Sequence, residues 1–216
     1  MNFLHDINIL ATLRLNMHYF GLRGLIKLPI LAYGKIELAD LGGGLVIKQP
    51  LHRGILKLGI HILGITPSNA TTIWQLSGCI NILGGVIIGR GCKLSVGGNL
   101  TFGDNVCITG MSTIICSTSI MIGENSIVSW DVLIMDNDQH HIQKNQREIS
   151  LMRPILIGRN VWIGCRTLIL KGTQIADNII VAADSTITKS ATESNCIYGG
   201  KGSNLRIISR NVTWHR

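Results

Sequence analysis

A repeat of six residues constrains the fold of this chain more than any other feature of its sequence. In the second half of the chain, β-branched aliphatic residues recur at every sixth position: Ile157, Ile163, Ile169, Ile175, Val181 and Ile187. The same spacing occurs upstream in three shorter series: Ile82, Ile88 and Leu94; Phe102, Ile108, Ile114 and Ile120; and Ile122, Val128 and Ile134. Side chains repeat about every 3.6 residues in an α-helix and every 2 in a strand, so neither element alone accounts for a period of six.

A period of six is typical of short strands that alternate with corners, with one aliphatic side chain pointing inward from each strand. Three such sides close a coil of about 18 residues, and successive coils stack at the strand spacing of about 4.8 Å. The residue after the inward aliphatic is often small, as in Gly158, Gly164 and Ala176, which suits a crowded corner. We therefore predict an all-β fold built as a parallel β-helix. The alternative, a β-sandwich, does not keep a fixed six-residue phase through its turns.

The repeat is interrupted once, between Ile134 and Ile157, and the interruption contains the polar stretch "DNDQHHI". A solenoid cannot hold an off-phase insertion inside its wall. We therefore expect residues from about 136 to 153 to leave the coil as a loop. Loops on a rigid scaffold commonly carry functional residues.

The pattern divides the chain into three parts. The β-helix is expected at residues 81–192. Residues 1–80 are expected to form a small N-terminal α/β cap and lead-in region, with a short helix within residues 2–20. Residues 193–216 are expected to form a C-terminal tail that packs back on the prism.

The net charge and the cysteine pattern limit the classes of partner that this chain is expected to bind. The net charge is +8, but the basic residues are scattered and rarely lie beside aromatic ones, so we expect no nucleic-acid partner. An anionic substrate or cofactor, or an acidic membrane surface, accounts for the charge equally well. The six cysteines form no C-x-x-C pair or zinc-type cluster, which predicts reduced core thiols and no bound metal. The N-terminus shows no secretory signal pattern, so we expect a cytoplasmic protein.

Two stretches resemble the signatures of a known family. "SWDVLIMDNDQHHI" and "PILIGRNVWIGCRTLILKG", the latter followed by "VAADSTITKS", resemble those of hexapeptide-repeat, left-handed β-helix acyltransferases. The nearest branch comprises bacterial sugar O-acetyltransferases of capsule and lipopolysaccharide synthesis, and the resemblance covers residues 75 to 200. It implies a homotrimer that uses acetyl-CoA as donor. The acceptor it implies is a sugar, and the positive charge also suits a sugar carried on a pyrophosphate lipid or a nucleotide. The basic, apolar N-terminal region is expected either to rest on the inner face of the membrane or to cap the end of the solenoid.

The resemblance also implies roles for individual residues. His140 falls where the family has its catalytic histidine, whereas His141 falls where the family varies. The acyl-CoA contacts fall on Cys165, Ala183, Thr188 and Lys189. After "YGG", the position of a usual basic residue is held by Asn204, so Lys201 or Arg206 would have to supply that charge.

Direct transfer from a thioester to a hydroxyl requires a base, donors for the oxyanion and alignment of both substrates. Histidine suits the first task. A carboxylate that fixes its tautomer would be Asp136 or Asp138, although both also fit carboxylates that cap a loop. The candidate substrate residues are these two, Trp130 and Asp131; Trp130 would stack on a sugar ring or cover a coil edge. The family's assisting Asn has no counterpart, and only Thr109 lies near its position.

Three other functions remain as alternatives. An N-acetyltransferase acting on an amino sugar would share the fold and the donor. A β-helical zinc carbonic anhydrase needs three histidines around one metal, and no third histidine lies in the repeating part. A non-catalytic solenoid would bind partners without chemistry. Metal analysis and the effect of CoA on thermal unfolding distinguish the last two alternatives from an acyltransferase.

Overall fold

The wall of the molecule is a stack of coils made of short strands. The computed structural model describes residues 6–149 and 151–215. Residues 1–5, 150 and 216, which fall in the predicted cap, loop and tail, lie outside the described residues. In chain order the strands up to the loop are β1 Ile30–Ala32, β2 Lys35–Asp40, β3 Gly44–Ile47, β4 Leu56–Ile60, β5 Thr71–Leu76, β6 Cys79–Ile82, β7 Val86–Gly89, β8 Lys93–Val96, β9 Asn99–Phe102, β10 Val106–Ile108, β11 Thr113–Cys116, β12 Ser119–Ile122, β13 Ile127–Val128 and β14 Leu133–Met135. The remaining strands are β15 Ile142–Lys144, β16 Arg147–Ile149, β17 Ile155–Ile157, β18 Trp162–Ile163, β19 Leu168–Leu170, β20 Gln174–Ile175, β21 Ile179–Val181, β22 Thr186–Ile187, β23 Cys196–Gly199 and β24 Arg206–Arg210.

Three parallel sheets form the sides of a triangular prism. The first face contains β1, β4, β7, β10, β13, β18, β21 and β23; the second contains β2, β5, β8, β11, β14, β19 and β22; and the third contains β3, β6, β9, β12, β17 and β20. Paired residues lie twenty positions apart in the middle coils, as in Ile88 with Ile108, and eighteen apart later, as in Ile163 with Val181. The prediction of an all-β parallel β-helix is confirmed.

The core is the axis of the prism. The six repeat residues of the second half of the chain are all buried, with exposed fractions of 0 to 2%: Ile157, Ile163, Ile169, Ile175, Val181 and Ile187. They point inward from successive strands and stack on the residues of the coils above and below. Removal of these apolar surfaces from water is the main stabilising contribution of the repeat.

The corner between the third and first faces is built by asparagines. Asn105, Asn125, Asn160 and Asn178 all adopt left-handed backbone angles, with φ from 52° to 59°, a region that Asn tolerates better than most residues. The Asn105 Nδ2 donates to Asn125 Oδ1 at 2.9 Å, and Asn160 Nδ2 donates to Asn178 Oδ1 at 2.9 Å. The side-chain amides therefore link successive coils at this corner.

The prism begins about fifty residues earlier than the boundary we drew at residue 81. The first coil consists of β1, β2 and β3, and β1 pairs with β4 of the second coil in parallel. Residues 48–55 and 61–70 are loops between these strands, and they break the six-residue phase. The inward residues are nevertheless regular, since Leu56, Leu58 and Trp74 are buried.

A helix covers the open end of the first coil. Helix α1 spans Ile9–Lys27, longer than the short helix expected, and Asn8 caps it by accepting a hydrogen bond from the Ala11 N–H. Asn16 donates from Nδ2 to the Ile30 carbonyl at 2.7 Å and accepts from the Ile30 N–H at 3.1 Å. The edge of β1 is thereby paired with a side chain, which prevents it from pairing with another strand.

The coil also continues beyond residue 192, the predicted end. Strand β23 pairs in parallel with β21, and β24 then returns antiparallel to β23 at the end of the first face. Further on, the Trp214 ring lies 6.0 Å from the Trp162 ring, and its Nε1 donates to the Asn160 carbonyl at 2.9 Å. The last residues therefore pack along the first face.

Candidate active site

The off-phase segment leaves the prism between β14 and β17, where the second face meets the third. Strands β15 and β16 pair antiparallel and form a hairpin outside the three sheets. An antiparallel bridge between Asn137 and Met152 closes the base of the loop, and the Arg153 N–H donates to the Asp136 carbonyl at 3.0 Å. The predicted excursion is confirmed and has a defined base.

A turn at the base of this loop directs its two histidines differently. Gln139 has a left-handed φ of 64°, and its N–H donates to the Asn137 side chain at 2.9 Å. His140 follows this turn with an exposed side chain. His141 instead contacts Glu148 across the hairpin, with 2.5 Å between Nδ1 and Oε1. The hairpin therefore engages His141 and presents His140 to solvent.

Asp136 is a structural carboxylate. It is fully buried and accepts hydrogen bonds from the backbone N–H groups of Ser117, Thr118 and Ser119 at 2.7 to 2.9 Å. The pKa of the adjacent Cys116 thiol is raised to about 12, first by burial and then by the negative charge of Asp136. The sequence left Asp136 either as a substrate or histidine-orienting residue or as a capping carboxylate. Its oxygens are enclosed and already accept from the backbone, which favours its role as the cap of the preceding corner.

Asp138 ties the loop to the next coil. It forms an ion pair with Lys171, which follows β19 at the same edge of the prism. Both side chains are largely buried, with 28% and 15% exposed, and the Asp138 N–H donates to the Leu151 carbonyl at 3.0 Å. The sequence analysis did not identify Lys171. The feature that could have identified it is its position after β19, at the same corner as the loop and one coil further on.

Three predicted residues stack at the corner between the first and second faces. The Arg166 N–H donates to the Trp130 carbonyl at 3.2 Å, and the Asp184 N–H donates to the Cys165 carbonyl at 2.9 Å. Trp130, Cys165 and Ala183 therefore occupy equivalent positions in consecutive coils, and we call these three residues the Trp130 column. Trp130 is 36% exposed.

Asp131 has a backbone role at this corner. Its φ is 60°, and its N–H donates to the Gly110 carbonyl of the preceding coil at 3.2 Å. Aspartate tolerates this left-handed conformation, which accounts for the residue type. The Asp131 side chain is exposed beside the Trp130 column.

Thr109 lies one coil before this column. It directly precedes Gly110, and its Oγ1 is buried without a hydrogen-bond partner among the described residues. A buried hydroxyl without a partner is energetically costly. The Thr109 hydroxyl is therefore available to a group that binds near the Trp130 column.

Thr188 and Lys189 lie at a different corner from the Trp130 column. They follow β22 where the second face meets the third, at the same edge as the loop. Lys201 lies nearer the column, because its Nζ pairs with Asp184 Oδ2 at 3.2 Å. Arg206 instead lines a cleft of about 790 Å³ at the end of the prism, together with Gly200, Ser203 and Asn204.

The Trp130 column and the loop that carries His140 start from different corners of the prism. The column stands at the start of the second face and the loop leaves from its end, with β14 between them. Asp136 lies five positions after Asp131. At about 3.3 Å per residue, the two corners lie about 16 Å apart.

Metal ligands do not converge in the described residues. Within residues 6–149 and 151–215, no group of three or more His, Cys, Asp or Glu side chains is arranged to hold a metal ion. The adjacent His140 and His141 have different surroundings, since His140 is exposed after the turn and His141 contacts Glu148.

Comparison with curated proteins finds relatives among sugar O-acetyltransferases, although no family model matches. A galactoside O-acetyltransferase of Escherichia coli K12 is 34% identical over 98 residues, which are 44% of this chain and 47% of the relative. An uncharacterized 24.8 kDa protein in the cps region of Klebsiella pneumoniae is 33% identical over 160 residues, or 74% of this chain and 71% of the relative. The chain belongs to the hexapeptide-repeat acyltransferase family. The chain spans less than half the length of the galactoside O-acetyltransferase that it matches.

The fold of this hexapeptide-repeat protein is shared with a solved structure. The polySia-specific acetyltransferase NeuO superposes with a TM-score of 0.65, covering 86% of this chain and 74% of that one at 20% sequence identity. At this level of identity the likeness concerns the fold, which is the left-handed parallel β-helix.

Proposed function

We propose that the protein transfers an acetyl group from acetyl-CoA to a sugar hydroxyl in the synthesis of a surface polysaccharide, either capsule or O-antigen. The observation that carries this proposal is the presentation of His140 by the loop that leaves the prism between β14 and β17. The names of the relatives, a galactoside O-acetyltransferase and a protein of a cps region, support the acetyl group and the acceptor class.

His140 acts as the general base in this proposal. Its imidazole takes the proton of the acceptor hydroxyl as the oxygen attacks the thioester carbonyl and the C–O bond forms. Collapse of the tetrahedral intermediate breaks the C–S bond, and the departing CoA sulfur receives the proton from His140. A well-placed base of this kind contributes about 10²–10⁴-fold in rate.

The donor lies along the Trp130 column. The pantetheine arm runs past the backbone of Cys165 and Ala183 of one chain, and Thr188 and Lys189 contribute to donor binding from the loop edge of the neighbouring chain. About 16 Å separates the corner of the Trp130 column from the corner of the loop in one chain. The His140 that serves a given donor therefore comes from a neighbouring chain. A homotrimer provides three such sites by symmetry. Apolar side chains on the outer side of the second face, Ile115, Leu133, Met135, Leu168 and Leu170, support association there.

Mixing two inactive variants is expected to restore activity. His140→Ala removes the base, and Ala183→Trp fills the donor channel at the exposed Ala183. Co-refolding both variants in equal amounts should give sites that combine an intact histidine with an intact column at about a quarter of all interfaces. The measurement is release of CoA thiol in the presence of a sugar acceptor. Activity that stays absent in mixed oligomers would place both walls of the site in one chain.

Arg206 is expected to contact a phosphate of CoA more strongly than Lys201 does. Lys201 already pairs with Asp184, whereas Arg206 lines the open cleft at the end of the prism. Arg206→Gln should weaken CoA binding about tenfold, as expected for the loss of a charge-assisted contact. Calorimetric titration of CoA into this variant and into Lys201→Gln tests the assignment, and a larger loss in Lys201→Gln would reverse it.

The acceptor is a sugar presented on the cytoplasmic side, either free or carried on a lipid or nucleotide at the inner face of the membrane. Mass spectrometry of surface polysaccharide from cells with and without the protein tests this function. Loss of an acetyl ester is the expected result, and loss of an amide-linked acetyl group would indicate N-transfer instead. A purified protein that contains stoichiometric zinc, or whose melting temperature ignores CoA, would contradict the proposal.

A further inference from the structure

The solvent side of helix α1 is apolar. Ile9, Leu10, Leu13, Met17, Leu22 and Ile26 have exposed fractions of 44 to 79%. Gly21 interrupts the helix with non-helical backbone angles (φ 57°, ψ −145°), so four of these residues lie before the kink, and Leu22 and Ile26 lie after it. Single exposed aliphatic residues are ordinary, but six within eighteen positions form apolar surface of a kind that usually marks an interaction site.

The packing of α1 on the prism does not require this apolar surface. The side that contacts the first coil contains Ala11, Thr12, Leu15 and Asn16, all of which are buried. Asn16 and Thr12 pair with the edge of β1; Thr12 Oγ1 accepts from the Ala32 N–H at 3.0 Å. The contacts of the inner side are therefore sufficient for the helix to cap the end of the prism.

A row of positive charge accompanies the apolar surface. Arg14, Arg23 and Lys27 follow directly after Leu13, Leu22 and Ile26, and all three are exposed. Because residues four apart share a helix face, Arg23 and Lys27 lie beside Leu22 and Ile26 as two parallel pairs. The helix sequence from Ile9 to Lys27 contains no acidic residue.

We propose that this face of α1 binds an anionic phospholipid bilayer, with the helix lying in the plane of the interface. Its aliphatic side chains enter the boundary between headgroups and acyl chains, and Arg14, Arg23 and Lys27 contact the lipid phosphates. In the described portion of the chain, no helix combines the length and apolarity needed to cross a bilayer. The helix therefore binds the surface without crossing the membrane.

Charge selects a bilayer over a second copy of this chain. Two α1 helices that met through their apolar faces would bring their cationic rows together and repel each other. An anionic bilayer instead attracts Arg14, Arg23 and Lys27 of each chain that binds it. This surface is separate from the acetyl-transfer site; only the consequence that the enzyme meets a lipid-linked acceptor rests on the proposed function.

Vesicle flotation of the full chain tests the proposal. The protein should float with vesicles that contain phosphatidylglycerol and stay behind with vesicles of phosphatidylcholine alone. The double variant Leu22→Glu with Ile26→Glu should lose binding. The triple variant Arg14→Gln, Arg23→Gln and Lys27→Gln should bind about a hundredfold more weakly, since each cation near the surface contributes about fivefold.

Asn99→Glu with Gln174→Glu is the matched control, because it adds the same negative charge at exposed positions of the third face and should leave vesicle binding unchanged. All variants should keep their melting temperature and their affinity for CoA, which separates failure of lipid binding from failure of the acetyl-transfer proposal. Equal recovery with both vesicle types, or with neither, would overturn the inference. So would a change in subunit number caused by Leu22→Glu with Ile26→Glu, which would assign the face to a second copy.

Discussion

Replacing His140 with alanine is expected to lower turnover by about two to four orders of magnitude while the β-helix stays folded. The side chain is exposed on the loop, so its removal leaves no cavity and no buried group without a partner. Only the proton transfer from the acceptor hydroxyl is lost. Steady-state release of CoA thiol with a sugar acceptor measures turnover. Thermal unfolding measures the stability of the fold, and CoA titration measures donor binding.

His141→Ala provides the matched control for this experiment. His141 lies next in sequence but contacts Glu148 across the hairpin, and both side chains are exposed, so their contact contributes little to stability. We expect turnover within a few-fold of the natural protein. A His140→Ala protein that retained near-normal turnover, or a larger loss in His141→Ala, would refute the assignment of the base.

The six-residue repeat predicts the fold where its phase is unbroken. From Ile82 onward, one inward aliphatic residue on each strand of a coil is enough to predict that the strands stack into three parallel sheets. The first two coils show no six-residue phase in the sequence because the loops at 48–55 and 61–70 shift it, although Leu56, Leu58 and Trp74 still point inward. A repeat is visible in sequence only when the corners have constant length, whereas the packing tolerates corners of any length that return the strand to its register.

The site divides in the same way between local and non-local information. The loop and its histidine follow from one local observation, the loss of phase after Ile134. The role of Asp136 depends on the N–H groups of Ser117, Thr118 and Ser119, which lie seventeen to nineteen residues earlier. A residue's own neighbours in sequence cannot reveal that contact. The twenty-residue register of the middle coils brings the two segments together.

Asp136→Ala is expected to destabilise the fold by about 3–5 kcal/mol, because three N–H groups at a closed corner lose their acceptor. For a chain of this size, the melting temperature should fall on the order of 10 °C. Chemical denaturation monitored by circular dichroism gives the free energy of unfolding directly. The base of the loop should loosen as well, since the Arg153 N–H donates to the carbonyl of the same residue.

Asp138→Ala separates this structural role from a role in orienting His140. Asp138 lies two residues further on and pairs with Lys171 at a partly buried position, so its loss should cost about 1–2 kcal/mol, less than the loss of three hydrogen bonds to a fully buried carboxylate. If Asp136 oriented the imidazole instead of capping the corner, Asp136→Ala would lower turnover with little change in the free energy of unfolding. The enclosed position of its carboxylate predicts the reverse: a large loss of stability that the neighbouring Asp138→Ala does not reproduce.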